Sequence, residues 1–296
     1  TIKSKSAENA CEIDLLRSLK KSGVKTPDGS ESFWVIEQKA GHVNWQDVNS
    51  LVRPGVIRLF TYQLISRGAD GVLYFFWRQP RIGSEKFYGG VLTHDGRGKN
   101  RVYQEISQIG NEVEQLAPII KGTKVVAETC ILYSHENEWA LEFPRQPNKF
   151  FKQRDHVQLF HSALHDRNIP VDFARPTDDL SRYKIVFAPS LNSGMVDEHH
   201  IAPDSGFPHD LTDLFGLEVL EFDPLPPDEE ANHLTFKGGF YTSQLHAAKL
   251  WCDIIEPKGC QTIASYTKDF YAGRPAITMN EFGAGKAIYI GTMCQQ

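Results

Sequence analysis

Two short apolar runs, SFWVIEQ at Ser32–Gln38 and GVLYFFW at Gly71–Trp77, constrain the fold of this 296-residue chain more than any other feature. Both are rich in aromatic and β-branched residues, and neither alternates with polar ones. That pattern predicts strands buried on both faces, as in a parallel sheet. The stretch between them predicts a helix. Pro54 takes its first position, Val56, Leu59, Phe60, Gln63 and Leu64 follow at helical spacing, and Gly68 ends it. A helix over Glu8–Lys21 precedes the first run, with Ile13, Leu15, Leu16 and Leu19 as its apolar stripe and Gly23 as its stop. A long helix from Asn100 to about Leu116, ended by Pro118, follows the second run.

The order is therefore strand, long loop, helix, twice over, with short turns after the helices. This is the alternation of a (β/α)8 TIM barrel, in which the strand-to-helix loops carry the active site. From Lys124 the pattern restarts. Strands are expected at Val125–Tyr133, Val171–Phe173, Lys184–Pro189 and Leu217–Phe222, and a helix at Lys149–Arg167. The end reads as a β-meander: Gln261–Tyr266, Ala276–Glu281, a turn at Gly283–Gly285, then Ala287–Ile290. The fold class expected is α/β. The last βα units of a TIM barrel occupy residues 1–120, and an open α/β domain of flavodoxin-like type occupies 121–296. Pro224–Glu230 (PLPPDEE) is an acidic surface loop.

Composition narrows the function. Hydrophobic residues make up 41% and charged residues 23%, as in a globular protein, and the formal net charge of −5 points away from nucleic acid and from anionic membranes as partners. No apolar stretch reaches the roughly 18 residues that span a bilayer. The N-terminal Thr1–Ser6 segment has no apolar core of a signal peptide, and it lacks an initiator Met. Five scattered cysteines without a CxxC pair predict thiols in a reducing cytoplasm.

Glu37 is the first candidate for chemistry. Strand alternation places it on one face with Phe33 and Val35, at the C-terminal end where a barrel opens. A retaining glycosidase needs a carboxylate nucleophile there, with an acid/base about 5–5.5 Å away. The same residue also fits a buried glutamate paired with Arg or Lys. Trp45 (in GHVNW) and Trp77 fit either sugar stacking or a core. Glu85 (in GSEKFY) fits either an acceptor of sugar hydroxyls or a solvated loop charge.

The runs FWVIEQKAGHVNW and RPGVIRLFTYQLISRGADGVLYFFWRQPRIGSEKFYGG resemble family 42 glycoside hydrolases, as do ILYSHENEWALE, VDFARPTDDLSRYKIVFAP and LFGLEVLEFDPL downstream. The resemblance runs from about Leu15 to Ile290. It implies a β-galactosidase that hydrolyses terminal non-reducing β-D-galactose with retention and needs no cofactor. Glu37 falls on the family's nucleophile, Trp45 on its substrate-site tryptophan and Glu85 on its galactose-binding glutamate. Trp77 and Tyr88 complete the implied sugar site; the family usually has histidine where Tyr88 stands. The second domain then builds a homotrimer, and a galactoside oligosaccharide is the substrate.

The family's acid/base glutamate follows an Asn at the end of the fourth barrel strand, which is expected upstream of this chain, as is the cysteine-rich zinc cluster of some members. The Asn-Glu pairs present do not fit: Asn111-Glu112 is expected in a helix, Asn137-Glu138 in a loop and Asn280-Glu281 in a strand. The alternative is thus a catalytically incomplete chain that acts only in assembly. After Leu191 the family usually runs through a further helix and strand, which this sequence omits. Asp197-Glu198-His199-His200, with Asp204 and His209, matches no defined metal site and is expected to be a solvated loop, so no metal is assigned.

Overall fold

The computed structural model describes residues 2–19, 33–190, 204, 206–227, 232–237 and 246–294, which form two compact units. The first comprises Thr1–Leu132 with His161–Phe187, and the second Tyr133–Phe160 with Ala188–Gln296. The fold is mixed α/β.

In the first unit, helix α1 (Ile2–Leu19) precedes strand β1 (Phe33–Lys39), helix α2 (Val56–Ser66), strand β2 (Ala69–Phe75) and helix α3 (Arg101–Ile120). β1 and β2 pair in parallel, from Phe33 opposite Ala69 to Lys39 opposite Phe75. Ile13, Phe33, Leu64 and Ala69 pack α1 and α2 against the strands. On α3, Val102, Ile106, Ile109 and Val113 recur on one face and meet Ile57 and Tyr74. Strands β3 (Thr129–Leu132), β4 (Val171–Ala174) and β5 (Ile185–Phe187) form a second parallel sheet in the order β4-β3-β5.

Several expectations need correction. The α2 helix starts at Val56, with Gly55 (φ 82°) as its N-cap, so Pro54 lies before the helix rather than at its first position. The left-handed turn at Gly55 is what re-aims the chain. Pro118 does not end α3, which continues to Ile120. Proline costs one backbone hydrogen bond there, but its φ is already helical and only a short last turn follows. Nor are β1 and β2 buried on both faces. Trp34 is 61% and Ile36 76% exposed, because this sheet has only two strands among the described residues.

The second unit holds helix α4 (His135–Glu142), the first part of helix α5 (Gln153–His165) and the short helix α6 (Thr212–Phe215). Asn137 and Glu138 lie in α4 and not in a loop. Ser134 caps that helix by accepting the Asn137 N–H at 3.3 Å, and Glu136 and Glu138 sit in its first turn, where the helix dipole favours them. The rest is a seven-stranded sheet of β6 (Leu217–Pro224), β7 (Asn232–Phe236), β8 (His246–Pro257), β9 (Gln261–Tyr266), β10 (Pro275–Phe282), β11 (Gly285–Ile290) and β12 (Thr292–Cys294). All its pairings are antiparallel. The expected meander forms its β9-β10-β11 side, and Gly283 (φ 57°) turns the tight β10–β11 hairpin. Its core centres on Leu234, Cys252, Ile254, Ala264, Tyr266 and Ala276.

Candidate active site

The site candidates lie near the C-terminal end of β1, which holds Glu37, and on the two loops that follow β1 and β2. The regular alternation of β1 is interrupted. Val35 pairs with Val72 but Gln38 with Tyr74, so the strand carries an extra residue across Ile36–Glu37. Such a bulge re-aims the side chain it holds. The expectation that Glu37 simply shares a face with Phe33 and Val35 therefore needs correction. Phe33 is buried and Val35 half-buried, whereas Glu37 is exposed and forms no ion pair among the described residues.

The loops are laced together just beyond the strands. The Ala40 N–H donates to the Phe75 carbonyl at 3.3 Å, and the Gly89 N–H to the His42 carbonyl at 2.8 Å. Asn44 Nδ2 donates to the Ser84 carbonyl at 2.9 Å. The second loop is also folded on itself. The Val91 N–H reaches the Phe76 carbonyl at 2.8 Å, and the Leu92 N–H reaches the Trp77 carbonyl at 2.7 Å. Gln79 Nε2 donates to the Tyr88 carbonyl at 3.2 Å.

Glu85 stands in a short 3-10 helix, Ser84–Phe87, and is half-buried. Tyr88 follows it and is only 6% exposed, with its ring edge-on to Phe75 (5.8 Å) and Phe76 (5.4 Å). Burial, then the charges of Glu37 and Glu85, push the Tyr88 phenol above its ordinary range. The charges of Glu37 and Glu85 thus both reach Tyr88, although the two glutamates stand 48 positions apart in sequence. Trp45 and Trp77 sit on the same two loops, 70% and 65% exposed, so neither is a core tryptophan. Exposed indoles on these loops suit stacking on a polar ring with apolar C–H faces.

Sequence reasoning did not single out Phe75 and Phe76, which frame Tyr88, or Asn44, Gly41 and Gly89, which join the loops. The doublet Gly89-Gly90 was a visible signal, since adjacent glycines permit close backbone approach. Among the described residues no group of three or more His, Cys, Asp or Glu side chains is placed to hold a metal ion. The segment Asp197–His200 lies outside the described residues. No described helix is long and apolar enough to cross a membrane.

Two family models match the chain. One, described as β-galactosidase, covers residues 1–116. The other, described as β-galactosidase trimerisation domain, covers 127–193 and 190–296. The chain is similar to β-galactosidase BgaB of Geobacillus sp., with 37% identity over 96% of this chain and 44% of that protein. It is 36% identical to β-galactosidase GanA of Bacillus subtilis, over 94% of this chain and 43% of that one. Among solved structures, the cold-adapted β-galactosidase of Rahnella sp. R3 matches with a TM-score of 0.90 at 30% identity, over 99% of this chain and 46% of its own. A catalytic mutant of Gan42B, a family 42 β-galactosidase of G. stearothermophilus with alanine in place of a glutamate, matches with a TM-score of 0.89 at 32% identity, over 98% and 44%. The chain spans less than half the length of these relatives. With one family model matching residues 127–296, more than half of the chain, and a second matching 1–116, the chain belongs to family 42 of the glycoside hydrolases.

Proposed function

We propose that the full-length protein hydrolyses terminal non-reducing β-D-galactose residues of β-galactosides by a retaining double displacement, with Glu37 as nucleophile. The observation that carries this reading is the exposed Glu37 carboxylate near the C-terminal end of β1, whose charge, like that of Glu85 on the neighbouring loop, acts on the buried Tyr88 phenol. Glu37 attacks the anomeric carbon and forms a galactosyl-enzyme ester, while a second glutamate protonates the departing glycosidic oxygen. That glutamate then takes a proton from water, which hydrolyses the ester. In this reading the acid/base belongs to the part of the family that this chain does not span, and the 296-residue chain alone turns over no galactoside. Trp45 and Trp77 stack on the sugar and its leaving group. Glu85 accepts hydrogen bonds from sugar hydroxyls, and Tyr88 donates one as a neutral phenol.

Residues 1–120 are then the closing βα units of the barrel. Residues 121–296 are the trimerisation domain, flavodoxin-like in its parallel β4-β3-β5 sheet, and a homotrimer in the cytoplasm is the expected assembly. No cofactor enters the mechanism. A second reading, a catalytically incomplete chain that serves only assembly, is favoured by Tyr88 standing where the family usually has histidine.

The separating experiment is turnover of a nitrophenyl β-galactoside by the full-length protein and its Glu37→Gln variant. Loss of kcat by at least about a thousandfold with folding retained is expected for loss of a nucleophile. Wild-type activity in the variant contradicts the assignment. An inactive full-length wild type favours the second reading.

A further inference from the structure

We infer that the crossing of Gly41 and Gly89 is the positioning device that sets Glu37 against Glu85; this rests on the galactosidase reading above. Each glutamate stands four residues before one glycine of the crossing. A Cβ on Gly89 would lie 2.7 Å from the Gly41 Cα and 2.8 Å from the His42 nitrogen, and one on Gly41 would lie 3.0 Å from the Gly89 Cα. Neither glycine has a positive φ, so alanine is compatible with the backbone and only the contact changes.

Both arms from crossing to carboxylate are held. On one side, Ala40 is fully buried and its N–H is tied to Phe75. On the other, the 3-10 turn closes through the Tyr88 N–H to the Glu85 carbonyl at 2.9 Å. Glu37 and Glu85 carry like charges, which favours loops that spread apart. The Gly89–His42 and Asn44–Ser84 hydrogen bonds oppose that spreading, and the bare glycine backbones allow it to be opposed at close range. Restoring ordinary contact of about 3.4 Å against a Cβ at position 89 moves the loops apart by about 0.7 Å. A displacement near 1 Å at reacting groups costs about 10²-fold in rate.

The test uses full-length Gly89→Ala, Gly41→Ala and Asn44→Ala. For each, the rate constant of covalent trapping by a 2-fluoro galactoside, the Kd for galactose and the unfolding midpoint are measured. The trapping rate is expected to fall in that order, by about 100-fold, about 10-fold and about 3-fold, and galactose affinity to weaken in the same order because Glu85 moves with its loop. A purely structural role shifts the midpoint and leaves the trapping rate of the folded protein unchanged, and that result overturns the inference. Should Gly89→Ala not fold, unchanged rates in the other two variants overturn it equally. Failure of the underlying reading looks different: Glu37→Gln would then keep its turnover.

Discussion

The β1–β2 sheet and the seven-stranded sheet of the second unit handle apolar surface in opposite ways. The antiparallel sheet closes its own core. Tyr266 is buried and its hydroxyl donates to the Gly291 carbonyl at 2.9 Å, and the Tyr271 hydroxyl reaches Asp223 at 2.8 Å. The β1–β2 sheet leaves Trp34, Ile36 and Leu73 in solvent and opens onto a groove lined by Trp34, Tyr74, Ile109 and Val113. Antiparallel strands joined by tight turns supply their own neighbours, whereas a parallel sheet is covered only by elements from distant chain. The site candidates all belong to the open region, and the closed sheet carries none of them.

Three substitutions press on this contrast. The largest effect is expected in the first unit, whose parallel elements are held by ions as well as by apolar packing. Buried Asp14 accepts from Arg17 Nη2 at 3.1 Å and His161 Nε2 at 2.9 Å, and it also pairs with Arg67. Burial alone would raise its pKa, but the His161 hydrogen bond and the charges of Arg67 and Arg17 together hold it below the usual carboxylate range. The linked stability is present above the unfolded pKa and is lost as pH falls through the folded one. Asp14→Asn should destabilise by about 3–5 kcal/mol in urea unfolding, because it leaves buried cations uncompensated. A change within about 0.5 kcal/mol would show that the apolar packing suffices there.

In the second unit two buried groups act against each other. Burial pushes Asp253 up to about 6, against hydrogen bonds from Trp251 Nε1 and Tyr289 at 2.8 Å each. Burial pushes His156, hydrogen-bonded to Ser190 at 2.6 Å, down to about 4. Between the unfolded pKa of Asp253, 3.8, and its folded value, the folded state keeps the proton and stability falls as pH rises. For His156 the unfolded state holds the extra proton between about 4 and 6.5, so stability rises with pH. The two slopes nearly cancel, each worth roughly 3 kcal/mol. Asp253→Asn should unmask the histidine slope as an acid destabilisation between pH 6.5 and 4. A flat profile in the variant would remove His156 from the account. The smallest effect belongs to α3. Gly110 lies inside that helix with nothing within 4 Å of the point where a methyl group would stand, so Gly110→Ala should stabilise by about 0.5–1 kcal/mol in thermal unfolding. Destabilisation there would mean that the open face of α3 is occupied in the full-length protein.

Much of this fold was legible in particular residues. The runs around Phe33 and Val72 declare strands, Asn100 declares a helix cap, and the β9-β10-β11 hairpins follow from alternation and glycine turns. The elements that were not legible are those set by distant contacts. Strand β8 mixes polar and apolar residues and carries Leu250 at positive φ, so its period is broken in the sequence. Helix α4 is two turns long and has almost no apolar stripe of its own. Within the site, Glu37, Trp45, Trp77, Glu85 and Tyr88 were visible through motif resemblance and strand position. The bulge at Ile36–Glu37 and the Gly41–Gly89 crossing were not, since each exists only once β1 and its loop meet β2 and its loop.

In the proposed mechanism Glu37 forms the covalent intermediate. The most direct test is peptide mapping by mass spectrometry of the full-length protein after reaction with a 2-fluoro galactoside. One fluorogalactosyl adduct is expected, on the peptide that contains Glu37. An adduct on any other carboxylate, with Glu37 unmodified, would contradict it.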